Sequence, residues 1–202
     1  MPFDPPAVRV GRLEESLQVL KGLLAGPALT FKGEHYTVDG IAGFPVPVQR
    51  PHPPILVGAG SRRMLGIAGR QADIVGILPR ALPEGTISGE LSERSPQRVA
   101  RKVEWVEQAA EERSRQIELS MVLAVAFGGD HRQAAERLAV QEGWGVAAGE
   151  LVLEMPSVAA GPADRVADEL QVRRERYGVS YLVVADGDME TFAPVVDRLA
   201  GR

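Results

Sequence analysis

The chain has 202 residues, 45% of them apolar and 25% charged, enough to bury a sizeable core and unlike the composition of disordered, collagenous or disulfide-built chains. The formal net charge of −4 is mild and spread along the chain, whereas a nucleic-acid binder concentrates Lys and Arg in a patch. There is no cysteine, which excludes disulfides, thiolate metal sites, iron–sulfur clusters and a cysteine nucleophile, so redox chemistry would have to come from a bound organic cofactor.

No apolar run approaches the ~20 residues needed to span a bilayer. The opening Met1-Pro2-Phe3-Asp4-Pro5-Pro6 lacks the basic and apolar regions of a signal peptide, so the expectation is a cytoplasmic protein with no membrane contact. Arg-rich stretches at 98–102 and 173–176 are interleaved with or flanked by Glu104, Glu107 and Glu175, and read as solvated helix faces rather than nucleic-acid contacts.

Leu13, Leu17, Leu20 and Leu24 fall at i, i+4, i+7 and i+11 and predict an amphipathic helix over 8–24, stopped by Gly26-Pro27. Residues 30–43 read as a short β excursion around the turn Lys32-Gly33-Glu34, and the proline-rich run 44–54 as an extended loop feeding a strand. Ile55-Leu56-Val57 is that strand, followed by Gly58-Ala59-Gly60-Ser61 and a helix over 62–71 carrying Met64, Leu65 and Ala68 on one face.

A second strand is predicted at 74–78. Beyond it lie a polar loop and a helix that Ser95 can cap with Pro96 at its first position, with Val99, Val103, Val106 and Ala110 as its buried stripe. A third strand covers 119–127, Gly128-Gly129-Asp130 opens a helix to about Val140, and a second helix runs from Gly161-Pro162 to Tyr177. The fourth strand is 181–185 and the closing helix 189–199.

Continuously apolar strands alternating with helices are the pattern of a parallel sheet covered on both faces, so the class is α/β. Four visible strands are too few for a closed eight-stranded barrel, which leaves a small open sheet or half a barrel. The chain shows no internal repeat and no linker dividing it.

The segment after the first parallel strand is the most informative for chemistry. Glycines let a backbone turn sharply and approach a ligand, and the free N–H groups and positive dipole end of the next helix favour an anion such as a phosphate. Ser61 adds a hydroxyl donor, and Arg62 or Arg63 a charge-assisted contact; the plainer reading is a tight strand-to-helix turn. A dinucleotide-binding fingerprint does not fit. Arg63 stands in place of its third glycine, and Asp73 comes about 13 residues after Gly60 instead of roughly 20.

Other chemistry is weakly represented. His35, His52 and His131 are too scattered for a helix-borne zinc site and read as surface or loop histidines. Glu14-Glu15 and the acids of 186–188 sit where solvated helix faces and N-caps want carboxylates, and Trp105 and Trp144 are explained by packing.

Taken in order, Arg12-Leu13-Glu14-Glu15, Phe31-Lys32-Gly33-Glu34-His35-Tyr36, Pro47-Val48-Gln49-Arg50-Pro51, Pro53-Pro54-Ile55-Leu56-Val57-Gly58 and Gly60-Ser61-Arg62-Arg63-Met64-Leu65, with Ala68 and Ala72-Asp73, resemble the luciferase-like monooxygenase family, closest to its F-420-dependent branch. The resemblance covers nearly the whole chain. It implies an oxidoreductase that uses coenzyme F-420 or flavin mononucleotide (FMN) for hydride transfer or oxygenation of a small-molecule substrate at the C-terminal ends of barrel strands. It implies too that Gly58, Ala59, Gly60, Ser61 and Arg62 hold the cofactor phosphate.

The same resemblance implies that residues 1–202 form the C-terminal half of a (β/α)8 barrel whose first four strands, with most of the residues lining the cofactor ring and substrate, are missing. Two expectations follow. Either the chain works with its other half, or it is a non-catalytic module that binds a phosphate-bearing ligand or associates with another chain. In both, inward-pointing residues among Ile55, Val57, Val75, Ile77, Val122, Ala124, Leu182 and Val184 lose their opposite wall, and self-association or complementation is expected.

Overall fold

A computed structural model of the chain describes residues 3–201. The first helix, α1 (Pro6–Ala25), ends at Gly26, whose φ of 105° is open to glycine alone, and the chain then enters an antiparallel hairpin of β1 (Leu29–Lys32) and β2 (Thr37–Ile41). The proline-rich stretch, expected to be extended, instead bends at 44–45, 48–51 and 53 before it reaches β3 (Leu56–Ala59), the start of the main sheet.

Helix α2 (Arg62–Gln71) leads to β4 (Ile74–Ile77), and α3 (Pro96–Ala110) to β5 (Glu118–Val122). After β6 (Ala124–Phe127) come α4 (His131–Gln141), α5 (Gly149–Glu154), β7 (Val158–Gly161), α6 (Ala163–Tyr177), β8 (Val179–Val183) and α7 (Met189–Leu199). Strands β3, β4, β5 and β8 form a four-stranded sheet in that order, every pairing parallel. The alternation of apolar strands and helices therefore predicts the class and the order correctly.

The caps act as the sequence suggests: Ser95 Oγ accepts from Arg98 N at 3.3 Å ahead of Pro96, and Asp130 Oδ1 accepts from Gln133 N at 2.8 Å ahead of α4. Val99, Val103, Val106 and Ala110 are all buried beneath α3.

One strand was not predicted, and one is shorter than expected. The run 119–127 breaks at Leu123: its N–H donates to Val183 O (2.8 Å) on the main-sheet side, while Ala124 N donates to Ser157 O (2.9 Å). From there β6 pairs in parallel with β7, which reads Val-Ala-Ala-Gly. Small residues buried on both faces give neither the alternation nor the bulky β-branched run by which a strand is recognised.

The core has two parts. Val57, Leu65, Ile67, Val75, Val106 and Met121 belong to the larger, between the sheet and its helices; Leu138, Val152, Met155 and Val158 belong to the smaller, under α4 and α5. Each large apolar side chain so buried contributes about 1.5–3 kcal/mol.

The register corrects which residues line the uncovered face. Val57, Val75 and Ile77 pack under the helices; Leu56, Gly58, Gly76, Ser120 and Tyr181 are on the opposite face, buried at its centre at Gly76 and Ser120 but open at Leu56 (48% exposed), Val122 (52%) and Tyr181 (41%). Strands β3 and β8 are the sheet's edges among the described residues.

Candidate functional site

The glycine-containing segment leaves the C-terminal end of β3 and becomes the start of α2, on the side of the sheet where parallel α/β proteins place their ligands. Gly58 pairs beside Gly76, and a Cβ on it would approach Leu78 Cδ1 to 2.9 Å. Ala59 is buried, its methyl in the larger core, so only its backbone is available; its carbonyl accepts from Leu78 N at 2.9 Å.

Gly60 has a structural reason to be glycine: a Cβ there would strike the Pro79–Arg80 peptide, 2.7 Å from Arg80 N. Ser61 is the N-cap of α2, with Oγ 3.4 Å from Met64 N, a long cap bond that leaves the hydroxyl exposed. The N–H groups of Arg62 and Arg63 belong to the first turn, where a helix supplies no acceptor.

Among the described residues neither Arg62 nor Arg63 makes an ion pair. Their side chains run along a groove between α2 and α3 beside Trp105. The structure thus brings Gly60 and Ser61 to the helix start and sends Arg62 along its flank. First-turn amides and an exposed hydroxyl are a donor set that fits a phosphate, and the two arginines of the groove add positive charge on the flank of the same helix.

Next to this segment lies a cavity of about 550 Å³ at the C-terminal ends of β4, β5 and β8, bordered by Leu78, Pro79, Lys102, Trp144, Val183 and Asp188. None of the residues 58–62 lines it; Leu78 and Pro79, which touch Gly58 and Gly60, join the two.

The cavity wall holds a group that the sequence reading placed in solvent. Lys102 is 1% exposed, and its Nζ donates to Glu93 Oε2 (2.8 Å), Leu78 O (2.8 Å) and Glu93 O (3.1 Å). Burial pushes the Lys102 ammonium below its ordinary value, while Glu93 beside it holds the charge in place. Burial alone would raise Glu93, but Lys102, the Arg80 amide and Arg98 outweigh it and hold the carboxyl below its ordinary range. Its position on an Arg-rich helix hid Lys102; the signal was its place on the apolar stripe, three residues after Val99 and four before Val106.

Arg173 is likewise not on a solvated face. Its side chain is 15% exposed and donates to the carbonyls of Pro156 (3.1 Å) and Val158, tying α6 to β7.

Nor is Glu15 a solvent-facing acid: its carboxylate accepts from the amides of Glu34 (2.7 Å), His35 (2.9 Å) and Tyr36 (3.0 Å). His52 lies in a loop, but its ring is largely covered, with Nδ1 2.9 Å from Pro53 O; the His131 ring sits 3.7 Å from Glu169, and burial lowers its pKa. Trp105 and Trp144 pack against the larger and the smaller core respectively. Asp73 is at the far end of the sheet, its carboxylate accepting from Ile55 N at 2.9 Å.

Comparison with known proteins agrees with this architecture. The solved structure of coenzyme F-420-dependent tetrahydromethanopterin reductase from Methanopyrus kandleri superposes with a TM-score of 0.66 at 18% identity, over 93% of this chain and 61% of that one. An F-420-dependent secondary alcohol dehydrogenase in complex with an F-420–acetone adduct gives 0.69 at 16% identity, over 98% of this chain and 62% of that one. In sequence, 65 residues are 37% identical to the FMNH(2)-dependent dimethylsulfone monooxygenase of Pseudomonas putida, 32% of this chain and 18% of that protein. The chain therefore spans less than two thirds of the relatives it matches. No helix among the described residues is long and apolar enough to cross a membrane. The model of the luciferase-like monooxygenase family matches residues 3–193, and the chain belongs to that family.

Proposed function

We propose that the chain supplies the phosphate-holding part of an oxidoreductase that uses a flavin or deazaflavin cofactor, coenzyme F-420 or FMN, on a small-molecule substrate. The observation that carries this is the exposed start of α2, where Ser61 and the amides beside it stand at the C-terminal edge of the parallel sheet, with Arg62 and Arg63, which make no ion pair among the described residues, on the flank of the same helix. Such a cofactor, when bound, supplies hydride transfer or oxygenation. The chain's own part is to bind and orient: Ser61 and the amides of Arg62 and Arg63 take the phosphate, and Arg62 adds positive charge.

Membership of the family supports the reaction class, and the reading carries with it a cytoplasmic place of work. The open edges of β3 and β8 and the uncovered Leu56, Val122 and Tyr181 support association, with a second copy or with a barrel half that completes the site.

The test is titration of the purified chain with FMN, with F-420 and with inorganic phosphate, alone and together with a recombinant N-terminal barrel half, comparing Ser61→Asp with the unmodified chain. A carboxylate set against a phosphate is expected to weaken binding at least about tenfold. Unchanged affinity in Ser61→Asp overturns the assignment, and binding without turnover in the completed assembly favours the non-catalytic module.

A further inference from the structure

The peptide on which Gly60 rests is held from both sides by one buried ion pair. Leu78 O accepts from Lys102 Nζ at 2.8 Å, and Arg80 N donates to Glu93 Oε2 at 3.3 Å; the same Glu93 oxygen accepts from Lys102 at 2.8 Å. Between these two anchors lies Pro79, whose carbonyl is the group a Cβ on Gly60 would strike. One residue earlier, Leu78 N donates to Ala59 O at 2.9 Å, and the Leu78 side chain fills the space beside Gly58. Residues 78–80 are therefore the floor under the end of β3 and the turn at Gly60–Ser61, and Glu93 and Lys102 fix that floor.

The pair is well anchored itself. Glu93 also receives Arg98 at 2.9 Å, and Lys102 also donates to Glu93 O at 3.1 Å, so all three donors of Lys102 are used and both carboxylate oxygens of Glu93 have partners. Burying two charges where two apolar residues would fit gains little stability by itself. What this pair does that apolar residues could not is hold a backbone carbonyl and a backbone amide, two residues apart, at fixed positions.

We infer that Glu93 and Lys102 are positioning residues: they set the place of the end of β3 and of the Gly60–Ser61 turn by fixing residues 78–80, and through it the direction of the amides at the start of α2. The consequence for ligand binding rests on the phosphate reading above; the mechanical link does not.

The experiment is amide hydrogen exchange on the full chain, read on peptides covering 57–65 and 76–82, beside thermal melting and FMN and F-420 titration. In Glu93→Gln/Lys102→Met no unpaired charge is left buried, but the carbonyls of Leu78 and Glu93 lose their donor, so the melting temperature is expected to fall by several degrees with the chain still folded. The two peptides should exchange at least about tenfold faster and cofactor affinity should fall about tenfold, with exchange in β5 and β8 unchanged. Should that variant fail to fold, native-state exchange on the unmodified chain decides: the amides of Leu78 and Arg80 should open together. Unchanged exchange of 57–65 in a folded variant, or independent opening of those two amides, overturns the proposal. Ser61→Asp separates the two readings. If it leaves binding unchanged while the double variant still loosens the turn, the phosphate reading fails and the positioning stands.

Discussion

Glu15 and Gly33 meet so closely that a side chain on Gly33 would occupy the space of the Glu15 carboxylate, which instead binds the three amides that follow the glycine in the turn. Nearby, Gly11 leaves room for His35, whose Nε2 would lie 2.7 Å from a Cβ at that position. Helix α1 and the β1–β2 hairpin are thereby one unit. Gly33→Ala is expected to lower stability modestly in urea denaturation, because the Glu15 carboxylate has to shift and loosen its hold on the three amides.

The same clamp gives a pH dependence. Loss of hydration raises the Glu15 pKa, but the amides of His35, Glu34 and Tyr36 and the His35 charge outweigh it, and the folded value lies below the ordinary 4.5. A carboxyl depressed on folding stabilises fully above its unfolded value and loses that contribution as pH falls through the folded one. The difference in melting temperature between the unmodified chain and Glu15→Gln should be constant near neutrality and close as pH falls below 4.5. A difference that persists at acid pH would refute it.

Gly60 and Gly187 make a matched pair for the turn. Gly60→Ala meets the Pro79–Arg80 backbone and should cost about 1–3 kcal/mol, whereas Gly187→Ala meets nothing within 4 Å and should stay within about 0.5 kcal/mol of the unmodified chain. Equal effects in chemical denaturation would show that the close approach carries no weight.

Arg113 caps the end of α2 in place of a glycine, its guanidinium donating to Gly69 O (3.1 Å), Arg70 O (2.6 Å) and Ala72 O (3.1 Å). The group is partly exposed, so Arg113→Ala should cost only about 1–2 kcal/mol. Lysine should recover less than half of that, since one ammonium does not reproduce the fork.

Uncovered sheet edges predict association. Sedimentation equilibrium of the chain should show self-association that rises with concentration, and exchange should be fastest in β3 and β8. A monodisperse monomer with equal protection in all four main-sheet strands would overturn this.

How much of this is legible in the sequence differs by element. Periodicity locates α2, α3 and α7 because each buries one apolar stripe, and the four main strands because they are apolar runs between helices; it finds α1 too, although of the stripe Leu13, Leu17, Leu20 and Leu24 only Leu17 is buried and Leu20 stands exposed. What escapes is whatever depends on residues far apart in the chain. Lys102 looks solvated until Glu93 and Leu78 O are placed beside it, and Glu15 looks like a surface acid until the hairpin folds onto it. Strand β7 escapes because Ala159 and Ala160 are buried by the close approach of neighbours rather than by their own size. The segment 58–62 is found from its glycines, yet the need for Gly60 lies with Pro79.

The break at Leu123 divides the packing of the chain into two units. Residues on the two faces of the β6–β7 ribbon divide their loyalties: Val125 and Ala159 belong to the larger core, Ala160 and Val158 to the smaller. Everything between the ribbon's two strands, α4 and α5 included, therefore rests on a narrow shared wall of small side chains. The segment 128–157 is nonetheless tied to the rest of the chain at a few points, Ser157 O accepting from Ala124 N, Pro156 O from Arg173 and the Trp144 ring facing Arg94. The ribbon is a hinge line between two packing units, and Trp144 and Ser157 carry the smaller unit's side of the cavity across it toward the main sheet.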